Sequence, residues 1–334
     1  CLVGSEMCIR DRFYDKFADI PLLSRMDAVA ETFIDEIETL LNRDLPEEER
    51  IPLIEKFRKM YETMDFYVLY NRFLKKEGYQ TLPRRPLEKR KLRYEDVYPV
   101  LYLKYRLSRQ AERSNIKHLV IDEMQDYSRL QYLIIRRMFS CKMTILGDRA
   151  QTMADQQQDV LQFLPGIFGK DLRRIEMRKS YRNTVEIASY AANLIGVTDL
   201  ELFERHGMPV LERDVTDLEA ALREAVDTLF PEEKTYETAA VIVPDEKTAE
   251  RAYLILREIL AEKDFDCEKR LSWLNRDSSS FKKGLTVTTF YLAKGLEFDQ
   301  VFSIFPKDEK REMMMQAQYI AATRALHELR VYHI

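Results

Sequence analysis

HLVIDEMQDYS, residues 118–128, is the stretch on which the reading of the fold turns. The run His118-Leu119-Val120-Ile121 leads into two acids, Asp122 and Glu123. A short apolar run capped by acids has the form of a buried parallel strand. Carboxylates at the end of such a strand sit where α/β sheets bind ligands. An Asp there can hold Mg²⁺, which bridges phosphates. An adjacent Glu can orient and deprotonate a water.

Outward from this stretch, the text predicts alternating elements. A helix is expected at 128–139, a strand at 142–148 (KMTILGD), a strand in RRIEMRKS (173–180) and a helix at 183–195. Strands come next at 237–244, 284–291 and 300–306, with a long helix from Asp245 to about Glu262. A helix over 311–327 and a last strand, LRVYHI, close the chain. This alternation implies a doubly wound α/β fold with parallel sheets. Its rhythm breaks near 175. Before residue 117 the spacing is helical, over 27–42, 50–77 and 94–112. The aromatic residues Tyr61, Phe66, Tyr67, Tyr70 and Phe73 read as a packing face. LPRRPLEKRKLR (82–93) reads as a basic loop or hinge.

Composition bounds the rest. The 334 residues are long enough for two domains, and 53 Lys and Arg against 57 Asp and Glu give a net charge of −4. Any nucleic-acid contact therefore needs a local basic patch. The four cysteines form no CxxC pair and share no ligand spacing with the four histidines, which fits a reducing, cytoplasmic compartment. No apolar run approaches the ~18 residues of a membrane helix. CLVGSEMCIRDR (1–12) has no periodicity continuous with the helical stretch from Phe13 onward and resembles translated sequencing-adapter text. It is read as a non-native or disordered segment, and the chain is expected to begin inside a longer protein.

Five motifs then occur in order: DEMQD (122–126), GDRAQ (147–151), KSYRN (179–183), YLAKGLEFD (291–299) and QYIAATRA (318–325). In this order they resemble the superfamily 1 helicases of the UvrD/Rep type, and most closely the HelD (helicase IV-like) branch. The resemblance implies P-loop NTPase (RecA-like) domains. On it, 13–116 would be a helical arm inserted in motor domain 1A, 117–175 the C-terminal part of 1A, and 176–334 domain 2A. ATP and Mg²⁺ would be the ligands. The implied roles are Mg²⁺ binding for Asp122, general base for Glu123 and γ-phosphate sensing for Gln151. Tyr181 would stack on adenine. Arg182 and Arg324 would reach the γ-phosphate, since each is planar, always charged and suited to phosphate. Glu297 would accept from the ribose, Gly295 would allow a close backbone approach, and Lys294 would support that loop. Gln125, Asp126, Gly147 and Asp148 complete the coupling motifs. Tyr319 would pack.

Two departures qualify this expectation. No GxxxxGK[ST] loop, whose N–H groups would cradle phosphates, occurs in the chain. Gly169-Lys170-Asp171 lacks the Ser/Thr, lies after the acids, and reads as a turn. The segment after Gln151, TMADQQQD, has no aromatic until Phe163, and Tyr291 stands where the family carries His. The resulting expectation is part of an ATP-dependent DNA helicase or translocase, inactive alone for want of the P-loop. The alternatives are a HelD-like ATPase acting on RNA polymerase, and a non-enzymatic regulator that binds a partner through its arm. A GxxxxGK[ST] upstream would dismiss the last.

Overall fold

The structure, a computed structural model, describes residues 9–108, 115–148, 151–152, 159–177, 179–197, 201–263, 265–278, 283–307 and 312–334. Residues 1–8 of the expected non-native segment, 149–150 of GDRAQ and 153–158 of TMADQQQD lie outside the described residues. The chain divides into two compact units, Cys1–Leu146 with Val160–Leu172 and Gly147–Asp159 with Arg173–Ile334.

In the first unit a short π-helical segment, Arg12–Lys16, precedes four α-helices, α1 (Arg25–Leu41), α2 (Glu47–Arg58), α3 (Phe66–Lys76) and α4 (Tyr94–Leu107). The single helical pattern over 50–77 is thus two helices with a break at 59–65. Side-chain oxygens compete with the helix there. Thr63 Oγ1 accepts from the Asp65 amide at 3.1 Å, and Asp65 caps α3 by accepting from the Tyr67 amide at 2.9 Å. Tyr67 and Tyr70 bury against Leu74 and Leu82, as a packing face requires, but Phe73 stays exposed.

Next come β1 (His118–Ile121), α5 (Arg129–Met138), β2 (Lys142–Ile145) and α6 (Val160–Phe168). Strands β1 and β2 pair in parallel, from His118 opposite Lys142 to Ile121 opposite Ile145. The strand expected to be buried on both faces is covered on one. Ile121 packs with Tyr132, Val160 and Leu164, while Val120 on the opposite face is 60% exposed. Ser128, the last letter of DEMQDYS, forms a capping box with Gln131 that starts α5. Gly169–Asp171 is a short 3-10 turn, as read from sequence.

The second unit holds β3 (Lys179–Ser180), α7 (Val185–Leu194), β4 (Glu201–Leu202), β5 (Leu211–Asp214), α8 (Leu218–Asp227), β6 (Thr238–Val243), α9 (Glu246–Ala261), α10 (Cys267–Arg270), β7 (Leu271–Trp273), β8 (Gly284–Thr289), β9 (Phe298–Phe305), α11 (Glu312–Ala322) and β10 (Ala325–His333). Six strands form one sheet in the order β5-β10-β9-β6-β8-β7, with all five pairings parallel. A parallel sheet must be covered on both faces. Alternation along β6 does this: Ala239, Val241 and Val243 join a core with α8 and α9, and Ala240 and Ile242 join one with α7 and α11. The α/β fold with parallel sheets, consistent with a RecA-like domain plus a helical region, is therefore present.

Several boundaries differ from expectation: β2 stops at Ile145 where the strand was expected to reach Asp148, and β10 begins at Ala325 where it was expected at Leu329. Of the described residues of RRIEMRKS, only Lys179–Ser180 is strand, paired with β4. The helix expected over 311–327 stops at Ala322, because the chain must enter β10 at Ala325.

Candidate functional site

The first unit contributes the acidic turn after β1. Leu146 donates its amide to the Ile121 carbonyl and accepts from the Met124 amide, both at 2.8 Å, so the two strands remain tied past their ends. Tyr132, fully buried, donates its hydroxyl to the Met124 carbonyl at 3.0 Å. Between these ties Glu123 takes a left-handed backbone, φ 52°, which is uncommon without glycine. Asp122 Oδ1 accepts from the Glu123 amide at 2.8 Å and steadies the turn. Gln125, buried, donates Nε2 to Glu123 Oε2. Asp126 is exposed.

This turn suits a hard cation. Mg²⁺ keeps several waters and is typically held by one or two carboxylates plus substrate phosphates. Asp122 is exposed and offers a carboxylate at a strand end. Glu123 sits beside it with its own carboxylate oriented by an amide donor.

The second unit gathers residues from four motifs around the first residues of β9 and β10. Arg324 comes just after α11 and is 1% exposed, so the side chain read as reaching phosphate is the largest one fully buried among the described residues. Its Nε donates to the Ile320 carbonyl at 3.2 Å, Nη1 to the Leu296 carbonyl at 3.4 Å, and Nη2 to Thr323 Oγ1 at 3.1 Å and Gln151 Oε1 at 3.4 Å. Gln151, also buried, donates Nε2 to Asp148 Oδ2 at 2.9 Å. Tyr319 donates its hydroxyl to the same oxygen at 3.1 Å. Burial first, and then the Asp148 charge, push the Tyr319 phenol above its ordinary pKa, so it remains a donor. Tyr319 is thus more than packing. Gly147, exposed, precedes this turn.

Arg182 and Glu297, given separate roles from sequence, bind each other at 2.6 Å with both side chains about half exposed. Gly295 has φ 78° in the turn before Glu297, and Lys294 beside it is half-buried. Tyr181 is 61% exposed and sits against Phe203, ring centroids 5.5 Å apart, with Lys179 Nζ 5.5 Å from the Tyr181 ring. Tyr291 donates to Glu246 at 3.0 Å.

Three residues given no role from sequence build the frame. Asn183, buried, donates Nδ2 to the carbonyls of Thr323 and Ala325 at 3.3 and 2.6 Å, and so ties KSYRN to the start of β10. Arg205 donates to the Arg182 and Leu326 carbonyls. Glu186 accepts from the Gly207 amide at 2.8 Å and meets His206 Nδ1 at 3.0 Å, which holds the Arg205 segment in place. Burial alone would raise the Glu186 pKa, but the hydrogen bonds from His206, its own amide, Gly207 and Thr184 outweigh it and bring the carboxyl down to about 2. Asn183 lies inside a motif and could have been flagged. Arg205 and Glu186 carry no local signal.

Comparison with known proteins completes the picture. No curated protein matches the chain. The C-terminal domain of a possible DNA helicase from Lactobacillus plantarum is 23% identical over 46% of this chain and 88% of that one, with a TM-score of 0.37. Arterivirus nonstructural protein 10, a helicase, is 14% identical over 80% and 50%, with a TM-score of 0.36. A PRRSV helicase is 18% identical over 65% and 35%, with a TM-score of 0.35. This chain thus spans half or less of the two viral chains, and all three are distant likenesses. Residues 12–153 match the family model described as UvrD/REP helicase N-terminal domain, a match that supports a UvrD-like superfamily 1 helicase.

Proposed function

We propose that the chain belongs to an ATP-driven superfamily 1 motor acting on DNA, in which it supplies residues around the nucleotide. The observation that carries this is the bond between Gln151 and Arg324, residues 173 apart in sequence, beside the Asp148–Tyr319 pair. An amide and a guanidinium brought together in this way can read a γ-phosphate. The phosphate would compete with the Gln151 amide for Nη2 of Arg324. That exchange links nucleotide state to the turn carrying Asp148. Tyr181 offers an exposed ring to adenine, Glu297 accepts from the ribose, and Arg182 moves between Glu297 and phosphate. Within the first unit Glu123 would act as a general base toward water. Mg²⁺, held through Asp122, would supply charge neutralisation at the phosphates.

The phosphate-cradling loop is not among these 334 residues, so the chain alone is expected to turn over ATP negligibly. Its nucleotide contacts can still be tested by saturation-transfer NMR with millimolar ATP. Adenine and ribose protons should receive saturation from the chain, and Tyr181→Ala should abolish the adenine signal. Equal adenine signals from both proteins, or none from either, would dismiss the reading, as would robust turnover.

One observation favours the HelD-like alternative, an ATPase that remodels or releases RNA polymerase. The stretch between Gln151 and Phe163 carries no aromatic on which a DNA base could stack. Co-purification of polymerase, without stimulation of ATP hydrolysis by DNA, would select it.

A further inference from the structure

The protein is acidic overall, yet residues 72–93 carry nine Lys and Arg against Glu77 and Glu88. Some of these cations are structural. Arg72 pairs with Glu62, Arg90 with Asp65 at 2.7 Å, and Arg93 with Asp96 at 2.7 Å. Lys75, Lys76, Arg84, Arg85, Lys89 and Lys91 are all exposed, and none of their side chains has a hydrogen-bond or ion-pair partner among the described residues. Six uncompensated cations on one short stretch repel one another. A bound polyanion would relieve that repulsion.

The loop bearing them is not slack. Asn71 brackets Leu82, donating to its carbonyl at 3.2 Å and accepting from its amide at 2.7 Å. Tyr67 donates to the Pro83 carbonyl at 2.8 Å. The Arg90 guanidinium lies 4.8 Å from the Tyr67 ring centroid and donates Nε to the Arg85 carbonyl at 3.0 Å. Leu82 is buried in the α3–α4 core. On this anchored base a shallow cleft of about 270 Å³ opens, lined by Gln80, Thr81, Leu82, Pro83, Arg85, Lys91 and Arg93, its wall mostly apolar. Of the cations that line it, Arg85 and Lys91 are free among the described residues, while Arg93 is held by Asp96. Tyr79 and Tyr94, 65% and 78% exposed, flank it in sequence.

We propose that the free cations Arg84, Arg85, Lys89 and Lys91, held on this anchored loop, form a docking surface for the phosphodiester backbone of a nucleic acid, each meeting a phosphate along it. Positive side chains held on a rigid base suit a periodic polyanion and read no sequence. The proposal rests on the nucleic-acid part of the proposed function and not on ATP, so either can fail alone.

The test is fluorescence anisotropy of labelled single- and double-stranded oligonucleotides with the 334-residue protein over a range of salt. Binding should weaken linearly in log–log form as salt rises. The variant R84E/R85E/K91E should lose at least about tenfold in affinity at low salt and flatten the slope by about 2–3, the value for three lost phosphate contacts. A control of equal charge, K234E/K247E/R251E on exposed cations of the other unit, should bind as wild type. The milder R85A/K91A should show a smaller loss, with unchanged circular dichroism, which guards against misfolding. The single- and double-stranded arms tell which form is held. Equal losses in the control, no binding by wild type, or equally tight binding of polyglutamate would each overturn the proposal, the last in favour of an acidic protein partner.

Discussion

Arg324 satisfies its guanidinium with backbone carbonyls of Ile320 and Leu296 and side-chain oxygens of Thr323 and Gln151. Arg324→Met should therefore destabilise the second unit by about 2–4 kcal/mol, since it leaves buried carbonyls unpaired. Denaturant titration reads this, and an unchanged midpoint would sink the account. On the proposed function, Arg182 and Glu297, both about half exposed, would be better probes of nucleotide than Arg324. Glu186 gives a pH test. Its folded pKa, about 2, lies below the ordinary 4.5. Its contribution is present above pH 4.5 and is lost as pH falls toward 2. Glu186→Gln should lower stability at neutral pH and narrow its gap from wild type as acid is added. A gap independent of pH over that window would refute the assignment. The motif identities of Arg324 and Gln151 were legible in the sequence because each motif is local. The burial of Arg324 was not, since two of its partners, Leu296 and Gln151, lie 28 and 173 positions away in sequence.

Elements are ended here by particular atoms, and those atoms can be removed. Gly284 begins β8 with φ 119°, and a Cβ there would lie 2.1 Å from the Arg270 carbonyl oxygen. Gly284→Ala should cost about 3–5 kcal/mol and uncouple β7 from β8, combining backbone strain with a backbone clash. A thermal shift of under a degree would contradict it. Asp299, the last letter of YLAKGLEFD, accepts from the Glu237 and Thr238 amides at 2.9 Å each and from Thr238 Oγ1 at 2.8 Å. Burial opposes its charge, but these donors outweigh burial and lower its pKa below 3.8. Asp299→Asn should cost about 1–3 kcal/mol at pH 7. The difference from wild type should shrink below pH 3.8, because a depressed carboxyl contributes only above its unfolded pKa. Strand cores such as Ala239–Val243 and capped helices such as α9, begun by Asp245, could be read from the sequence, because apolar runs and caps are local signals. The break at 59–65 could not, because Asp65 is committed to Arg90 and the Tyr67 amide at once.

At the scale of the molecule, the two units bury their strands to different degrees, and this sets where the chain opens first. In the second unit the central strands β6, β8 and β9 are buried almost residue for residue, between a core with α8 and α9 and another with α7 and α11. Each amide there opens only with much of the unit. In the first unit β1 and β2 make a two-stranded sheet of four residues each, and such a pair is marginal without help. Its help is one small cluster around Ile121, Tyr132, Val160 and Leu164, with the face bearing Val120 open. Amide hydrogen exchange should therefore find Val241, Val287 and Phe302 protected orders of magnitude longer than Val120 and Thr144, local opening being cheap where few apolar contacts close it. Tyr132→Phe should speed exchange at β1 further, because the hydroxyl on the Met124 carbonyl ties the acidic turn to α5. It should leave the six-stranded sheet untouched. Uniform protection across both sheets would refute the argument, and so would acceleration in the second unit. On the proposed function, Asp122 and Glu123 stand on the softer framework, where a bound cation would have the most to order. Saturating Mg²⁺ and ATP should then slow exchange at Ile121 and Met124 more than at any strand of the six-stranded sheet.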